Sequence, residues 1–382
     1  LWMFLIGVPS SFKTELVGLF SDMRSVFTLD TLTENAFASG YIPQDGSDPQ
    51  DLLPLLNHRC FIIKDLNTIF SLNEEMVKKV LGDLTSIFDG KFQKFTATRG
   101  LISYDSLFSM IGCITPSILI KHYNYATQLG PRFFFLRLPN LSENELTVGL
   151  EKSWQETDRR KKIDKARLIV SSYCTQLLRR IDSDLFQIKS PDIQEQINNI
   201  AKFICSARGM AISKKASFTD GEGKDVSYYE IIDWQVEQPW RILNQLKSLL
   251  TLIAVVNGHD DVGKDEIKTI RTIIMSTMPV DRAEVLTILS KRCGLSAREL
   301  SKQIGKSSKT IQRTLKELRV LGIVDCYKDT QANSSGKVPW LYFISTVYSP
   351  LVDSPIPTSE SLSQSNPDVK TTSEIGADDV DF

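Results

Sequence analysis

Residues 5 to 16 read LIGVPSSFKTEL, which sets Gly7, Lys13 and Thr14 at the spacing of a loop that cradles phosphates. In such a loop backbone amides wrap the β-phosphate, the lysine reaches the β- and γ-phosphates, and the hydroxyl ligates magnesium. Pro9, Ser10 and Ser11 form the turn between glycine and lysine, so ATP and Mg2+ are the expected ligands. The apolar LWMFLIG before the loop reads as a strand. The amphipathic KTELVGLFSDM after it reads as a helix, whose N-terminal dipole favours anions. Phe12 stands where glycine is usual, so its Cβ must be accommodated by the backbone angle.

A second candidate is CFIIKDLNTIF, residues 60 to 70, an apolar strand ending in a carboxylate. At the C-terminal end of a strand in an α/β sheet, Asp65 lies beside the phosphate loop and can hold magnesium through water, together with Thr14. Two successive acids, one for the metal and one to activate water, would suit hydrolysis, but only one is present. Either Leu66 replaces a glutamate or Lys64 replaces an aspartate, and both registers stay open. Asn67 and Thr68 are candidates for orienting the water.

A third candidate is LSARELSKQIGKSSKTIQRTLKELRVLGIVDCY, residues 295 to 327. Ser296 and Ser307 are N-cap candidates for two short helices joined by a turn at Gly305. Leu300, Ile304, Ile311, Leu315, Leu318 and Leu321 face inward, leaving Lys306, Lys309, Arg313, Lys316 and Arg319 outside. With GIVDCYKD and VPWLYFIS as wing strands, this is the pattern of a winged helix-turn-helix. Its basic outer face favours DNA over a protein partner, with Lys306, Lys309, Arg313 and Lys316 as contacts.

The elements that must position these residues follow from the rest of the chain. Five apolar β-rich runs, LWMFLIG, SVFTL, RCFIIKD, LFSMIGCIT and RFFFLRLP, alternate with helix-like segments over the first 140 residues. That is the pattern of a mostly parallel sheet covered on both faces. After Leu141 helical periodicity takes over, with a polar loop or hairpin at 217 to 225. The expected order is an α/β core over 1–140, an all-helical domain over 141–275, a winged helix over 276–349 and an acidic, disordered tail over 350–382.

Composition is consistent with this order. The 382 residues are 42% hydrophobic and 24% charged, enough for two or three domains with sizeable cores. No apolar run is long enough to span a bilayer, so the expected location is cytoplasmic, with no membrane partner. The chain opens inside its first strand, which implies further residues upstream. Six widely spaced cysteines read as buried thiols rather than a zinc site or a disulfide framework. The net charge of −1 conceals an asymmetry. From Pro350 onward seven acids face one lysine, whereas from Asp281 to Val320 ten basic residues face four acids, a balance suited to a polyanion.

Taken together, the order of elements over residues 1 to 275 resembles the AAA+ ATPases, and within them the minichromosome maintenance helicase branch. The stretch LTSIFDGKFQKFTATRGLISYDSLFSMIGCITP, residues 84 to 116, looks like that branch's helix, pore hairpin and fourth strand. The resemblance implies that Lys91, Lys94 or Arg99 faces DNA, with Phe92 and Phe95 fixing the hairpin or stacking on bases. It puts Thr115 in the place of the first sensor of the γ-phosphate. Arg132, with Arg137 as the alternative, takes the place of an arginine finger acting across a subunit boundary. Arg241 takes that of the second sensor. The resemblance thus implies a homo-oligomeric ring, hexameric in the fullest form, that couples ATP hydrolysis to DNA remodelling as a helicase or initiator of a mobile or viral replicon. The single acid at Asp65 leaves open a nucleotide-gated DNA-binding switch with weak hydrolysis. Phe12 leaves open a scaffold that binds no nucleotide.

Overall fold

The computed structural model describes residues 1–45, 47, 49–121, 132–181, 187–219, 225–328 and 339–351. The tail segment 352–382 and the turn of the 217–225 stretch lie outside the described residues, as does the start of the QLGPRFFFLRLP run. The chain divides into two compact units, Leu1–Lys189 with Asn244–Ile273, and Ser190–Leu243 with Ile274–Phe382. The stretch expected to be one helical domain over 141–275 is therefore shared between them.

The first unit is built on five strands, β1 (Trp2–Ile6), β2 (Val26–Leu29), β3 (Cys60–Ile63), β6 (Ser109–Ile114) and β7 (Phe133–Arg137). Their order is β2-β3-β6-β1-β7, every neighbouring pair is parallel, and each strand comes from one of the five apolar runs. Parallel strands with both faces covered lose the alternation of a half-exposed sheet, which is why these segments read as nearly continuous hydrophobic stretches. Packing concentrates at β1 and β7. Phe4 lies 4.1 Å from Phe133 between ring centroids, Trp2 lies 5.2 Å from the same ring, and the Trp2 indole donates to Phe108 O at 3.0 Å.

The helices of this part are α1 (Lys13–Gly18), α2 (Leu52–Leu56), α3 (Asn67–Phe70), α4 (Glu74–Ile87) and α5 (Pro116–Lys121). Asn73 caps α4 by accepting from Met76 N at 2.9 Å, and Val77, Val80, Leu81, Leu84 and Ile87 form its buried stripe. An antiparallel hairpin, β4 (Lys91–Thr96) and β5 (Gly100–Asp105), stands between α4 and β6. Two further helices, α6 (Glu143–Gln155) and α7 (Arg159–Leu178), have no buried residue. Arg167 Nε on α7 donates to Gly18 O at 3.2 Å, and Arg159 pairs with Glu15, so α7 is tied to α1 by its cations.

The second unit opens with α8 (Pro191–Arg208), whose Ser190 cap and N-terminal proline set its start. It continues into a long antiparallel hairpin, β8 (Met210–Thr219) and β9 (Asp225–Gln235), with a register shift between Ile212 and Ser213. The intervening segment is thus not all helical: the β-branched and aromatic residues of DVSYYEIIDWQ pair with MAISKKASFT. Helix α9 (Trp240–Asn257) starts in this unit and continues in the first, followed there by most of α10 (Lys264–Ser276). Next come α11 (Val280–Leu289), β10 (Leu295–Ser296), α12 (Ala297–Ile304), α13 (Ser308–Val320), β11 (Val324–Lys328) and β12 (Trp340–Ile344). The three short strands form one sheet in the order β10-β12-β11.

Candidate nucleotide and DNA sites

Leaving β1, the chain crosses to the β2 side of the sheet, whereas leaving β6 it passes over β1 to β7. Connections departing in opposite directions open a crevice outside the carboxyl ends of β1 and β6, the usual place for a ligand in an open α/β sheet. The Gly7–Thr14 loop begins there, with Gly7 N donating to Ile114 O at 3.2 Å. A Cβ on Gly7 would collide with the Ser11 side chain, so the glycine is required by close approach within the loop. Ser10 and Phe12 both take positive φ, 64° and 61°. Phe12 accordingly adopts the left-handed angle for which glycine would be the unstrained choice, and its ring points outward at 59% exposure. The Arg159 guanidinium lies 5.8 Å above that ring.

Lys13, the first residue of α1, is buried, and its ammonium donates to Gly7 O at 2.7 Å, Val8 O at 2.8 Å and Ser11 Oγ at 3.3 Å. Burial lowers its pKa, while the Cys113 thiol and the Asp65 carboxylate act the other way. Cys113, on β6, is itself pushed up to about 11 by burial, opposed by Lys13 and reinforced by Asp65. These three groups therefore share one electrostatic neighbourhood. The helix expected over KTELVGLFSDM is short, ending at Gly18 and followed by turns.

Asp65 follows β3, and β3 is separated from β1 by β6 alone. Its carboxylate accepts from Asn67 N at 2.9 Å, and its carbonyl accepts from Thr68 Oγ1 at 2.9 Å. The Asn67 side-chain oxygen in turn accepts from both the Thr115 amide and the Thr115 hydroxyl, each at 3.1 Å. A continuous chain Asp65–Asn67–Thr115 thus links the ends of β3 and β6. Asn67, expected as a candidate for orienting water, has its side-chain oxygen taken by Thr115. The residues on either side of Asp65 are packed differently. Lys64 turns away to pair with Asp30 at 3.0 Å, and Leu66 is buried against Gly112, where a Cβ would collide with it. Asp65 is the acid beside Lys13, and Leu66 stands next to it with an apolar side chain.

The three candidate charge-stabilising arginines occupy distinct places in the fold. Arg132 donates from Nε to Thr85 O at 3.1 Å, lies 6.0 Å over the Phe88 ring, and has its own carbonyl engaged by Gln245 at 2.9 Å. Its guanidinium is held against its own unit. Arg137 sits on β7 opposite Ile6, the residue immediately before the loop. Arg241 lies in the first turn of α9, on the part belonging to the second unit.

In the β4–β5 hairpin two of the three candidate DNA contacts have partners within the chain. Arg99 donates to Asp51 Oδ2 at 2.7 Å and to Tyr104 OH at 3.3 Å, and Tyr104 OH donates to the same carboxylate oxygen at 2.7 Å. Asp51 is buried and also accepts from Ser39 N at 2.7 Å. Arg99 is therefore an internal staple between hairpin and loop. Lys94 reaches back to Ala38 O at 3.4 Å and to Asp83 at 3.7 Å. Lys91 alone of the three is exposed, Phe92 is buried, and Phe95 is 77% exposed. Asp51 and Tyr104 went unnoticed in the sequence because nothing local marks a pair 53 residues apart.

In the second unit Ser296 and Glu299 form a reciprocal capping box on α12, which Gly305 ends at φ 76°. The Ser296 amide and hydroxyl hold the Glu299 carboxyl below its ordinary range. Ser307 caps α13, whose Ile311, Leu315 and Leu318 are buried. Lys309 and Arg313 stay exposed, with Lys316 half-buried. Lys306 differs from expectation, because its ammonium is bound by Asp281 at 2.6 Å and Glu284 at 2.5 Å. Arg282 is buried on α11, where it pairs with Glu317 at 3.0 Å and donates to Ala207 O and Gly209 O at 2.9 and 2.7 Å. The sequence carried a signal for this: Arg282 falls in register with Val285, Leu286 and Leu289, the buried stripe of its helix.

Residues 283–325 match the winged helix-turn-helix DNA-binding family. A search of curated proteins finds no match to the chain. The second unit therefore carries a winged helix-turn-helix DNA-binding domain, and the first is a mixed α/β unit with a parallel sheet. Among the described residues no helix is long and apolar enough to cross a membrane.

Proposed function

We propose that the protein is a DNA-binding ATPase of the AAA+ type that couples nucleotide turnover in its first unit to DNA held by its winged helix. One observation carries the reading: Lys13, Asp65 and Thr115 stand at the carboxyl ends of three adjacent parallel strands, and Asn67 joins the last two. In this reading Lys13 leaves its loop carbonyls for the β- and γ-phosphates, and Thr14 with Asp65 holds Mg2+. Thr115 donates its hydroxyl toward the γ-phosphate or the attacking water. The loop amides of residues 7–14, including those of Ser10 and Ser11, cradle the phosphate chain beside Pro9. Such a site acts through positioning and charge stabilisation rather than covalent chemistry. Arg132 or Arg137 and Arg241 remain the proposed charge-stabilising residues, in a homo-oligomeric ring that acts as a helicase or replication initiator.

A second reading, a nucleotide-gated switch with weak hydrolysis, is favoured by Leu66. Its buried side chain occupies the place next to Asp65 where a second acid would activate water. Calorimetry with Mg-ATP and ATPase rates with and without single- and double-stranded DNA separate the readings. The expected outcome is binding by the wild type and none by Lys13→Ala. Turnover stimulated by DNA supports the motor, and binding without stimulated turnover supports the switch. Wild type and Lys13→Ala equally inert toward ATP would remove both.

A further inference from the structure

Segment 281–320 carries ten basic residues and four acids, and the structure uses all four acids internally. Asp281 and Glu284 both bind Lys306, Glu317 pairs with buried Arg282 and lies 3.5 Å from Arg313, and Glu299 is held in the α12 capping box. Three of these acids are thus ion-paired within the second unit, while Glu299 stays exposed at the start of α12. Lys309, Arg313 and Lys316 recur at helical spacing on α13, and Arg298 and Lys302 recur on α12. Among the described residues no acid lies within ion-pair distance of Lys309, Lys316, Arg298 or Lys302. A face of that kind calls for a polyanion, and the chain contains one besides DNA. Residues 352–382 hold seven acids and one lysine, a charge of −6 against the +6 of segment 281–320. Four of those acids, Glu374, Asp378, Asp379 and Asp381, fall within eight residues.

The origin of this segment brings it within reach. The last described residues follow β12 in a short turn, Ser349–Leu351, fastened by Tyr348 against Phe203 at 5.2 Å and by Ser345 N to Ile323 O at 2.8 Å. From Leu351 to Glu374 the contour extends to on the order of 75 Å. Helix α13 is only about 20 Å long. An anionic segment tethered so closely competes at an effective concentration in the millimolar range, so weak intrinsic affinity is enough for occupancy.

We propose that the acidic segment 352–382 docks on the basic α12–α13 face of its own winged helix and competes there with DNA. The competition rests on α13 being the DNA-contacting helix, whereas docking itself does not require DNA. Both ligands are polyanions on the same cations, so the tail's occupancy falls as salt rises, as DNA binding does.

The test compares the full chain, a chain ending at Leu351, and a full-length variant carrying Glu374→Gln, Asp378→Asn, Asp379→Asn and Asp381→Asn, each titrated with a mixed-sequence 20-bp duplex. At 50 mM salt the shortened and neutralised chains should bind roughly ten-fold more tightly than the full chain, and the gap should close by about 300 mM. Separately, a labelled peptide of residues 352–382 should bind the shortened chain by fluorescence anisotropy without DNA. That binding should be lost when Lys309, Arg313 and Lys316 are changed to Gln. Peptide binding that survives those changes, or no peptide binding at 50 mM salt, overturns the docking. Equal DNA affinity of the three chains at every salt concentration overturns the competition with DNA. Absence of DNA binding in all three chains overturns the DNA-contact role of α13, and the peptide titration then decides docking alone.

Discussion

Phe12 is where residue chemistry and the expected loop diverge most. At φ 61° its Cβ is crowded, a cost of about 1 kcal/mol for a side chain held in the left-handed region. The exposed ring recovers little by burial and meets the Arg159 guanidinium instead. Strain and ring contact separate cleanly by substitution. Phe12→Gly removes both and is expected to raise unfolding stability by about 1 kcal/mol. Phe12→Ala keeps the strain and loses the ring, so it should not gain. Neither change should abolish ATP binding if the loop amides and Lys13 carry it. Thermal melts of the three chains check the first expectation and calorimetry the second; a Phe12→Gly chain no more stable than Phe12→Ala would show that the angle is not strained. Position 12 was legible as a departure from glycine, and only the backbone angle shows how the departure is accommodated.

At the scale of elements, the β4–β5 hairpin shows why a basic count is a weak guide to contacts. Lys91, Lys94 and Arg99 are alike in sequence, yet one is exposed and two are turned inward. Arg99→Ala leaves the Asp51 carboxylate buried without its cation and should cost about 3 kcal/mol of stability. Lys91→Gln should leave stability within about 0.5 kcal/mol. If the hairpin touches single-stranded DNA, Lys91→Gln should lower the slope of log affinity against log salt by roughly 0.7. Denaturant melts and salt titrations measure the two effects independently. A large stability loss in Lys91→Gln, or none in Arg99→Ala, would reverse the assignment. The five sheet strands were readable because double-sided burial writes itself as continuous apolar runs. The polar stretch 217 to 225 reads as a loop or hairpin, but the length of β8 and β9 was hidden because their described positions are mostly exposed and mix Lys and Glu with Tyr and Ile, so no period dominates. The α12–α13 pair was readable down to its caps, since Ser296, Glu299, Gly305 and Ser307 each do a local job at a fixed offset. Its internal ion pairs were not, because Lys306 and Lys309 differ only in which acids the fold brings near them.

At the scale of the whole molecule, the winged helix is less separable than a boundary at residue 276 suggests. Arg282 ties α11 to the end of α8 through Ala207 O and Gly209 O, and to α13 through Glu317. A Cβ on Gly209 would meet Leu321 and Val236, so the end of α8, the end of β9 and the residue after α13 are packed on one another. A fragment starting at Pro279 would expose Leu321 and deprive Arg282 of both carbonyls, so α8 and the β8–β9 hairpin belong to the folded DNA-binding unit. Arg282→Ala in the full chain should therefore leave Glu317 without its buried partner and two carbonyls without donors, a loss of about 3 kcal/mol. Because Arg282 and its partners all lie in the second compact unit, the loss should fall on that unit. Calorimetric unfolding should show one transition moving down by several degrees while the other stays in place, with ATP shifting only the one that stays. DNA affinity of Arg282→Ala should match wild type at low temperature and vanish with the shifted transition, since Arg282 is buried and its guanidinium is taken up by Glu317, Ala207 O and Gly209 O. A single transition moving as a whole would mean that the units unfold together, and unchanged melting would mean that Arg282 contributes nothing to holding the winged helix on α8.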